Sequence, residues 1–271
     1  MVRTRINVIS FASAKERRAA FVDQAADTRL AWSFVDALSV PPPPLTYDEG
    51  RAVRRFGRPL NKGEVGCFAS HYSVWTSMLT SNDDQRIVLE DDVIVDWQTM
   101  ERLAQVDIAS HGIELIRLFS THPFRYRLCV NRFLGPHHHL VQAYGMFLGT
   151  QGYLLTRRAA KQLVHRACSI ERPVDWLMAR YWDYDFPNLC LFPFPILERY
   201  VPSGIGERAD WPKRSAAQRL ERMCWRVSDR VKRAVADNIR YRKSTFGATP
   251  DSGLAFVDRA EPPVGDALRP K

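Results

Sequence analysis

The sequence predicts an α/β fold, a sheet with helices on its faces. Three features carry that prediction. Short apolar runs alternate with segments whose apolar residues recur at helical spacing. The clearest of these segments is 62–79, where Val65, Phe68, Tyr72, Trp75 and Leu79 share one face. The buried-looking run Ile87-Val88-Leu89 ends directly in Glu90-Asp91-Asp92, and α/β sheets bind ligands beyond the carboxyl ends of their strands.

Taken in order, residues 6–11 read as a strand. Residues 14–26 read as the helix after it, with Ser13 placed as its cap and Glu16 three residues on. A second strand is expected at 32–38. The four prolines 41–44 then impose polyproline geometry and end regular structure, and the chain to Pro59 is basic and irregular. After the helix 62–79 come a strand at 86–89, a helix at 98–108, and strands at 113–119 and 139–148. Helices follow at 156–167 and 172–181, then a proline-broken extended stretch at 189–201. From 207 to 243, twelve basic side chains face five acidic ones. On a helical wheel Leu220, Met223, Cys224, Val227, Val231, Ala234 and Val235 share one side. Arg219, Arg222, Arg226, Arg230 and Arg233 lie on a flank opposite much of it. This is an amphipathic basic helix. Beyond Gly247 the sequence reads as a disordered tail.

Composition narrows the function classes. The 271 residues hold one large domain or two small ones. An apolar content of 45% excludes wholesale disorder, because that much apolar surface would otherwise stay in water. The longest apolar stretch, 189–197, is interrupted by Pro193 and Pro195 and is too short to span a bilayer. The run 6–14 lacks a signal-peptide core and leads into Lys15-Glu16-Arg17-Arg18. The five cysteines show no C-x-x-C spacing and read as buried thiols of a reducing compartment. A cytoplasmic protein is therefore expected. The net charge of +9 predicts an anionic partner. Seven of those nine units sit in 207–243, with no RNA or DNA motif, so nucleic acid is set aside. Such a helix reads either as a contact with an anionic membrane surface or as a packing helix with a solvated arginine face.

Four segments could carry chemistry. Three adjacent carboxylates at a strand end repel one another unless a cation or hydrogen-bond donors compensate. Glu90-Asp91-Asp92 therefore reads either as a site for a hard divalent cation and phosphate or as a solvated acidic turn. In 60–71, Gly63 and Gly66 allow close backbone approach near a helix start, where free N–H groups can meet an anion. Glu64 and His71 lie on one line of that helix and could bind hydroxyls or move a proton; the alternative is a capping Glu and a satisfied His. Residues 144–153, with three glycines among aromatics, read as a strand and turn approached by a ligand or by another backbone. Asp175, after Pro173, is a candidate acid or simply a helix cap. His137-His138-His139 reads as a polar turn, because neighbours on an extended chain alternate faces.

Together and in this order, these segments resemble glycosyltransferase family 25, the lipooligosaccharide and lipopolysaccharide galactosyltransferases. The pieces are Ile6-Asn7-Val8-Ile9-Ser10 with Glu16-Arg17-Arg18, Phe34-Val35-Asp36-Ala37, and Leu60-Asn61-Lys62-Gly63-Glu64-Val65-Gly66-Cys67-Phe68-Ala69-Ser70-His71. Val88-Leu89-Glu90-Asp91-Asp92, Gly149-Thr150-Gln151-Gly152-Tyr153, Ala159-Ala160-Lys161-Gln162-Leu163 and Pro173-Val174-Asp175 complete the set. The resemblance covers about residues 5–205, and G-E-x-G-C-x-x-S-H is its most specific part.

The resemblance implies a GT-A-like, Rossmann-type sheet flanked by helices. The domain would be 1–206, with a basic amphipathic helical extension at 207–246 and a tail at 247–271. It implies an inverting glycosyltransferase that moves a hexose, galactose by family default, from a UDP-sugar to a glycan or glycolipid acceptor. Glu90-Asp91-Asp92 would stand where GT-A enzymes carry Asp-x-Asp. Asp92 and Glu90 would be ligands of Mn²⁺ or Mg²⁺, and Arg17, Arg18, Glu90, Asp91 and Lys62 donor contacts. Asp175 would be the base, with Glu64 and His71 as rivals. A metal-dependent phosphohydrolase and an inactive sugar-binding relative are the alternatives. Two departures stand out: Ser203-Gly204-Ile205 where an acid is expected, and the proline- and arginine-rich 40–59.

Overall fold

A computed structural model of the chain describes residues 2–199 and 216–241. Its centre is an eight-stranded mixed sheet in the order β2-β1-β3-β8-β5-β9-β7-β6. The first part is parallel: β1 (Thr4–Ser10) lies between β2 (Trp32–Asp36) and β3 (Gln85–Glu90). Helix α1 (Lys15–Gln24) is the crossover from β1 to β2. The following single turn, α2 (Glu49–Arg51), runs into a π-helical turn at Ala52–Phe56 and then into α3 (Lys62–Thr80). The proline run folds as a turn rather than as a polyproline helix, and Leu45 N–H donates to Pro42 O.

Strand β3 shows why the sheet has helices on both faces. Its side chains alternate, and all but Glu90 are buried. Ile87 and Leu89 join a core with Phe21 of α1 and with Met100 and Leu103 of α4 (Trp97–Gln105). Val88 faces the other core, with Phe68 and Trp75 of α3 and Leu163 of α5 (Arg157–Arg166). Gly66 lets α3 approach the backbone leaving β2, since a Cβ there would sit 2.6 Å from Leu38 O. Ser70 completes that contact by accepting Leu38 N–H and donating to Gly66 O.

Past β3 the sheet departs from an all-parallel design. Strand β4 (Val93–Val95) leaves it, and β5 (Leu115–Arg117), β6 (Arg125–Val130) and β7 (His139–Tyr144) follow. Strand β8 (Gly152–Thr156) inserts antiparallel between β3 and β5. The sequence reading missed β4, β6 and β8. All five residues of β8 are buried, so it lacks the alternation that marks a strand. Arg125 and Arg127 gave β6 the look of a loop, as charged edge strands do. Residues 172–181 give only a short helix, α6 (Val174–Met178), then a 3₁₀ turn at Tyr181–Asp183. Ser13 does not cap α1, whose N-cap is Ala14 with no side-chain bond. Strands β9 (Leu189–Phe192) and β10 (Ile196–Glu198) bear out the broken extended stretch, and β10 pairs with β4.

Helix α7 (Ala216–Val235) and a π-helical turn at Ala236–Arg240 end the described chain. Residues 203–205 and 247–271 lie outside the described residues. No helix among the described residues is long and apolar enough to cross a membrane. The five cysteines are free; Cys129 and Cys190 are buried as expected, whereas Cys168 and Cys224 are exposed.

Candidate active site

The acidic triplet begins at the carboxyl end of β3, beside the ends of β1 and β2. Asp91 turns inward: it accepts Ser10 Oγ at 2.6 Å and pairs with Arg17 at 3.1 Å. Burial pushes its pKa up despite those contacts. Glu90 accepts Thr150 Oγ1 at 2.5 Å, and His71 Nε2 lies 3.4 Å from the same oxygen. Burial pulls the Glu90 pKa upward, but His71 and Thr150 outweigh it and hold the carboxyl below its usual value. Asp92 has the opposite balance. Burial, then the charges of Glu90, Asp91 and Glu198, push it up to about 7. Its Oδ1 is buried with no hydrogen-bond partner. The β10–β4 pairing sets Glu198 opposite Val93, next to the triplet. A cavity of about 190 Å³ opens here, lined by Glu16, Arg17, Ala20, Asp91, Asp92 and Arg199.

Behind Glu90 a buried relay crosses from α3 to β8. Trp75 Nε1–H donates to Tyr153 Oη at 2.8 Å, and His71 Nδ1 lies 2.9 Å from the same oxygen. If the Tyr153 phenol donates to Nδ1, the imidazole carries its proton on Nε2, the nitrogen that faces Glu90. Cys67 stands beside them: its sulfur, a His71 ring nitrogen and a Glu90 oxygen all lie within 4.8 Å of one another. Burial, then Glu90 and Asp175, push the Cys67 thiol well up.

Asp175 lies in the first turn of α6 and accepts Trp176 N–H at 2.8 Å. Burial raises its pKa, against the Trp176 bond and the attraction of Arg117. Arg117 on β5 is fully buried and donates to Gly149 O, while its Nε and Nη1 have no partner. Burial pushes it down to about 10, against the pull of Asp175.

The fold thus brings together Glu90, Asp91, Asp92, Arg17, His71 and Asp175. It uses other predicted residues differently. Glu64 forms a capping box with Asn61 and takes Arg58 in a two-armed pair at 2.6 and 2.7 Å. Of the two readings of this helix start, the structure holds the capping Glu, and the close approach at Gly66 is to the Leu38 backbone. Arg18 ties Ser10 at the end of β1 to Asp36 at the end of β2 and covers the Phe34 ring. Lys62 begins α3 with an exposed side chain. His137 and His138 lie in the irregular stretch before β7, whereas His139 begins that strand and accepts Arg132 N–H, so the polar-turn reading fails for His139. Sequence reasoning missed Arg117, Glu198 and Arg199. Thr150 and Tyr153 stood inside a segment it had marked without assigning them roles.

The sequence matches the glycosyltransferase family 25 (LPS biosynthesis protein) model over residues 3–178, the region that holds every side chain just described except Glu198 and Arg199. The chain belongs to glycosyltransferase family 25. It is 25% identical over 169 residues to the lipooligosaccharide biosynthesis protein lic2B of Haemophilus influenzae, covering 60% of this chain and 63% of that one. A glycosyltransferase 25 family member of Aedes aegypti is 32% identical over 121 residues, 45% of this chain and 19% of its own length. Human procollagen galactosyltransferase 2 is 43% identical over 63 residues, 22% of this chain and 10% of its own. Each match covers less than two thirds of the relative's length. The mixed sheet is consistent with a GT-A-like fold.

Proposed function

We propose that the unit 1–206 transfers a hexose, galactose first, from a UDP-sugar to the glycan of a surface glycolipid, with inversion. The observation that carries this reading is Asp92. An unpartnered, buried carboxylate oxygen among three further acids is stable only with a cation beside it or a proton on it. All of the donors are hard oxygens, which suits Mg²⁺ or Mn²⁺. Asp92 and Glu90 would hold that ion, with Glu198 within reach of the same charge. When bound, it supplies charge relief on the departing diphosphate. Arg17 and Arg199, at the mouth of the cavity, would meet the phosphates.

The protein's own groups divide the remaining work. Asp175 accepts the proton of the acceptor hydroxyl as that oxygen attacks the sugar carbon. Its raised pKa makes it a stronger base than an exposed aspartate. The relay through Tyr153 and His71 holds Glu90 in place. Arg117 offers two unused donors to an anion near Asp175.

The reading also includes work at the cytoplasmic face of a membrane, with 213–243 as the peripheral contact. A panel of UDP-sugars with and without Mn²⁺, read by UDP release and by binding, tests the assignment. Metal-dependent UDP release that rises with a glycan acceptor is expected. Absence of both binding and divalent dependence would overturn it. Phosphate release without any acceptor would instead mark a phosphohydrolase.

A further inference from the structure

Helix α7 is mounted with its polar side against the domain. Trp225 lies under Arg55, whose guanidinium is 4.4 Å from its ring, and Glu221 pairs with Arg54 of the same π-helical turn. Asp229 takes Arg180 in a two-armed pair at 2.6 and 2.8 Å. Asp237 accepts the Tyr181 hydroxyl, and Tyr241 Oη donates to Tyr184 O at 2.8 Å. All three acids between 219 and 237 therefore engage the domain.

The other side is apolar and faces outward. Leu220, Met223, Val227, Val231 and Val235 are 44–58% exposed, and Ile239 is 75% exposed. Six of the twelve exposed large hydrophobics among the described residues lie on this one segment. A helix on a soluble domain ordinarily buries its apolar stripe. Here ion pairs, with Ala236 and Tyr241 buried against Tyr181 and Trp182 at its end, hold the helix, and the stripe is left over, about 22 Å long from Leu220 to Val235. Arg219, Arg226 and Arg230 are exposed along one edge, in a groove of about 380 Å³ shared with Met223 and Val227.

We propose that this face of α7 docks on an anionic lipid bilayer. An apolar stripe edged by arginines, with its acids turned away, matches a surface that is apolar within and negative at its rim. The arginines can lay their stems on the apolar boundary while their heads stay among lipid phosphates. A second copy paired antiparallel fits less well, because the two-fold axis would bring both arginine rows together along one edge. The mounting also links the surface to the chemistry. Trp225 and Asp229 dock on Arg55 and Arg180, which belong to segments flanking Asp175, and Phe56 packs on Trp176 at 5.1 Å. A lipid-linked glycan would thus be presented on the Asp175 side. That last point rests on the acceptor reading above; the docking itself does not.

The test is co-sedimentation of the full chain with phosphatidylcholine vesicles, with and without phosphatidylglycerol, at low salt. Retention at least about tenfold higher on the anionic vesicles, falling as salt rises, is expected. Val227→Asp with Val231→Asp should lose about tenfold of that retention while circular dichroism and Tm stay unchanged, because both side chains face solvent. Val227→Ser with Val231→Ser gives the same contrast without added charge. Arg226→Gln with Arg230→Gln should lose the preference for anionic lipid. Equal retention on both vesicle types, or full retention by both valine variants, would overturn the proposal. So would a wild-type dimer that the valine variants convert to monomer without any vesicle binding. No turnover is needed for this readout, so an inactive site would leave it standing, and failed docking would remove the membrane contact but leave the transfer chemistry standing.

Discussion

Asp92 and Asp175 are held in environments that disfavour their charged forms, and each makes a distinct prediction. The folded-state pKa of Asp92 is raised above the ordinary 3.8 to about 7. Its charge therefore costs stability above 3.8, in full once the pH passes 7, and nothing below 3.8. Asp92→Asn should raise the stability of chelator-treated protein at pH 8 by on the order of 1–3 kcal/mol, with no gain in acid, as read by urea midpoints. The same variant should lower transfer by about a hundredfold or more. For Asp175, burial moves the pKa upward. A base works only when deprotonated, so kcat/KM should fall with decreasing pH through a pKa above 3.8. In Asp175→Asn that limb should vanish, with kcat down by about 10²–10⁴. Both acids were legible in the sequence. The role of Glu64 was not fixed there, because the capping box and the Arg58 pair depend on where 58–61 runs. Gly66 was marked correctly as a close approach, but the approaching group is Leu38 O. Gly66→Ala should therefore cost about 1–3 kcal/mol, measured by denaturant unfolding, whatever the donor.

Elements with strong periodicity were readable, and those whose pattern comes from their neighbours were not. The apolar face of 62–79 specifies α3 because Phe68, Tyr72 and Trp75 must leave water together. Strand β8 has no such local code. It is a strand because β3 and β5 each offer an open edge, and a Cβ at Gly152 would sit 2.2 Å from the Ile196 side-chain tip, which would have to shift. Helix α7 is the sharpest case. Its amphipathic pattern fixed a helix, yet the apolar face turned outward because Arg54, Arg55 and Arg180 supply charged partners for the opposite face. Asp229→Ala breaks the best of these links. It should release α7 from the domain without unfolding it. Limited proteolysis should then cut within 216–241 faster, while the Tm of the domain shifts little.

At the scale of the whole molecule, two sheet faces close over separate cores, and ion pairs lock the far end of the sheet from the site. Burial pushes the Asp83 pKa up, but Arg86, Ser81 and Arg5 outweigh it and hold it below 3.8. Such a group stabilises the fold above 3.8, and that contribution is lost as the pH falls through its lowered value. Asp83→Asn should therefore lower stability at neutral pH and flatten the acid limb of a stability–pH curve measured by urea midpoints. The sequence by itself determined the class of fold, the order of most strands and helices, the acidic strand end and the basic helix. Each of these is a local property, set by periodicity and by charge repulsion between adjacent residues. Only the tertiary structure decided which acids converge and which way α7 faces. Glu198 reaches the triplet because β10 pairs with β4, and Asp175 feels the Arg117 charge because the carboxyl end of β5 and the first turn of α6 both reach Gly149, just before β8. The physical reason is the same in each case. A charge or an apolar face has no fixed partner until long-range pairing brings one, and the energy that settles its role comes from that partner.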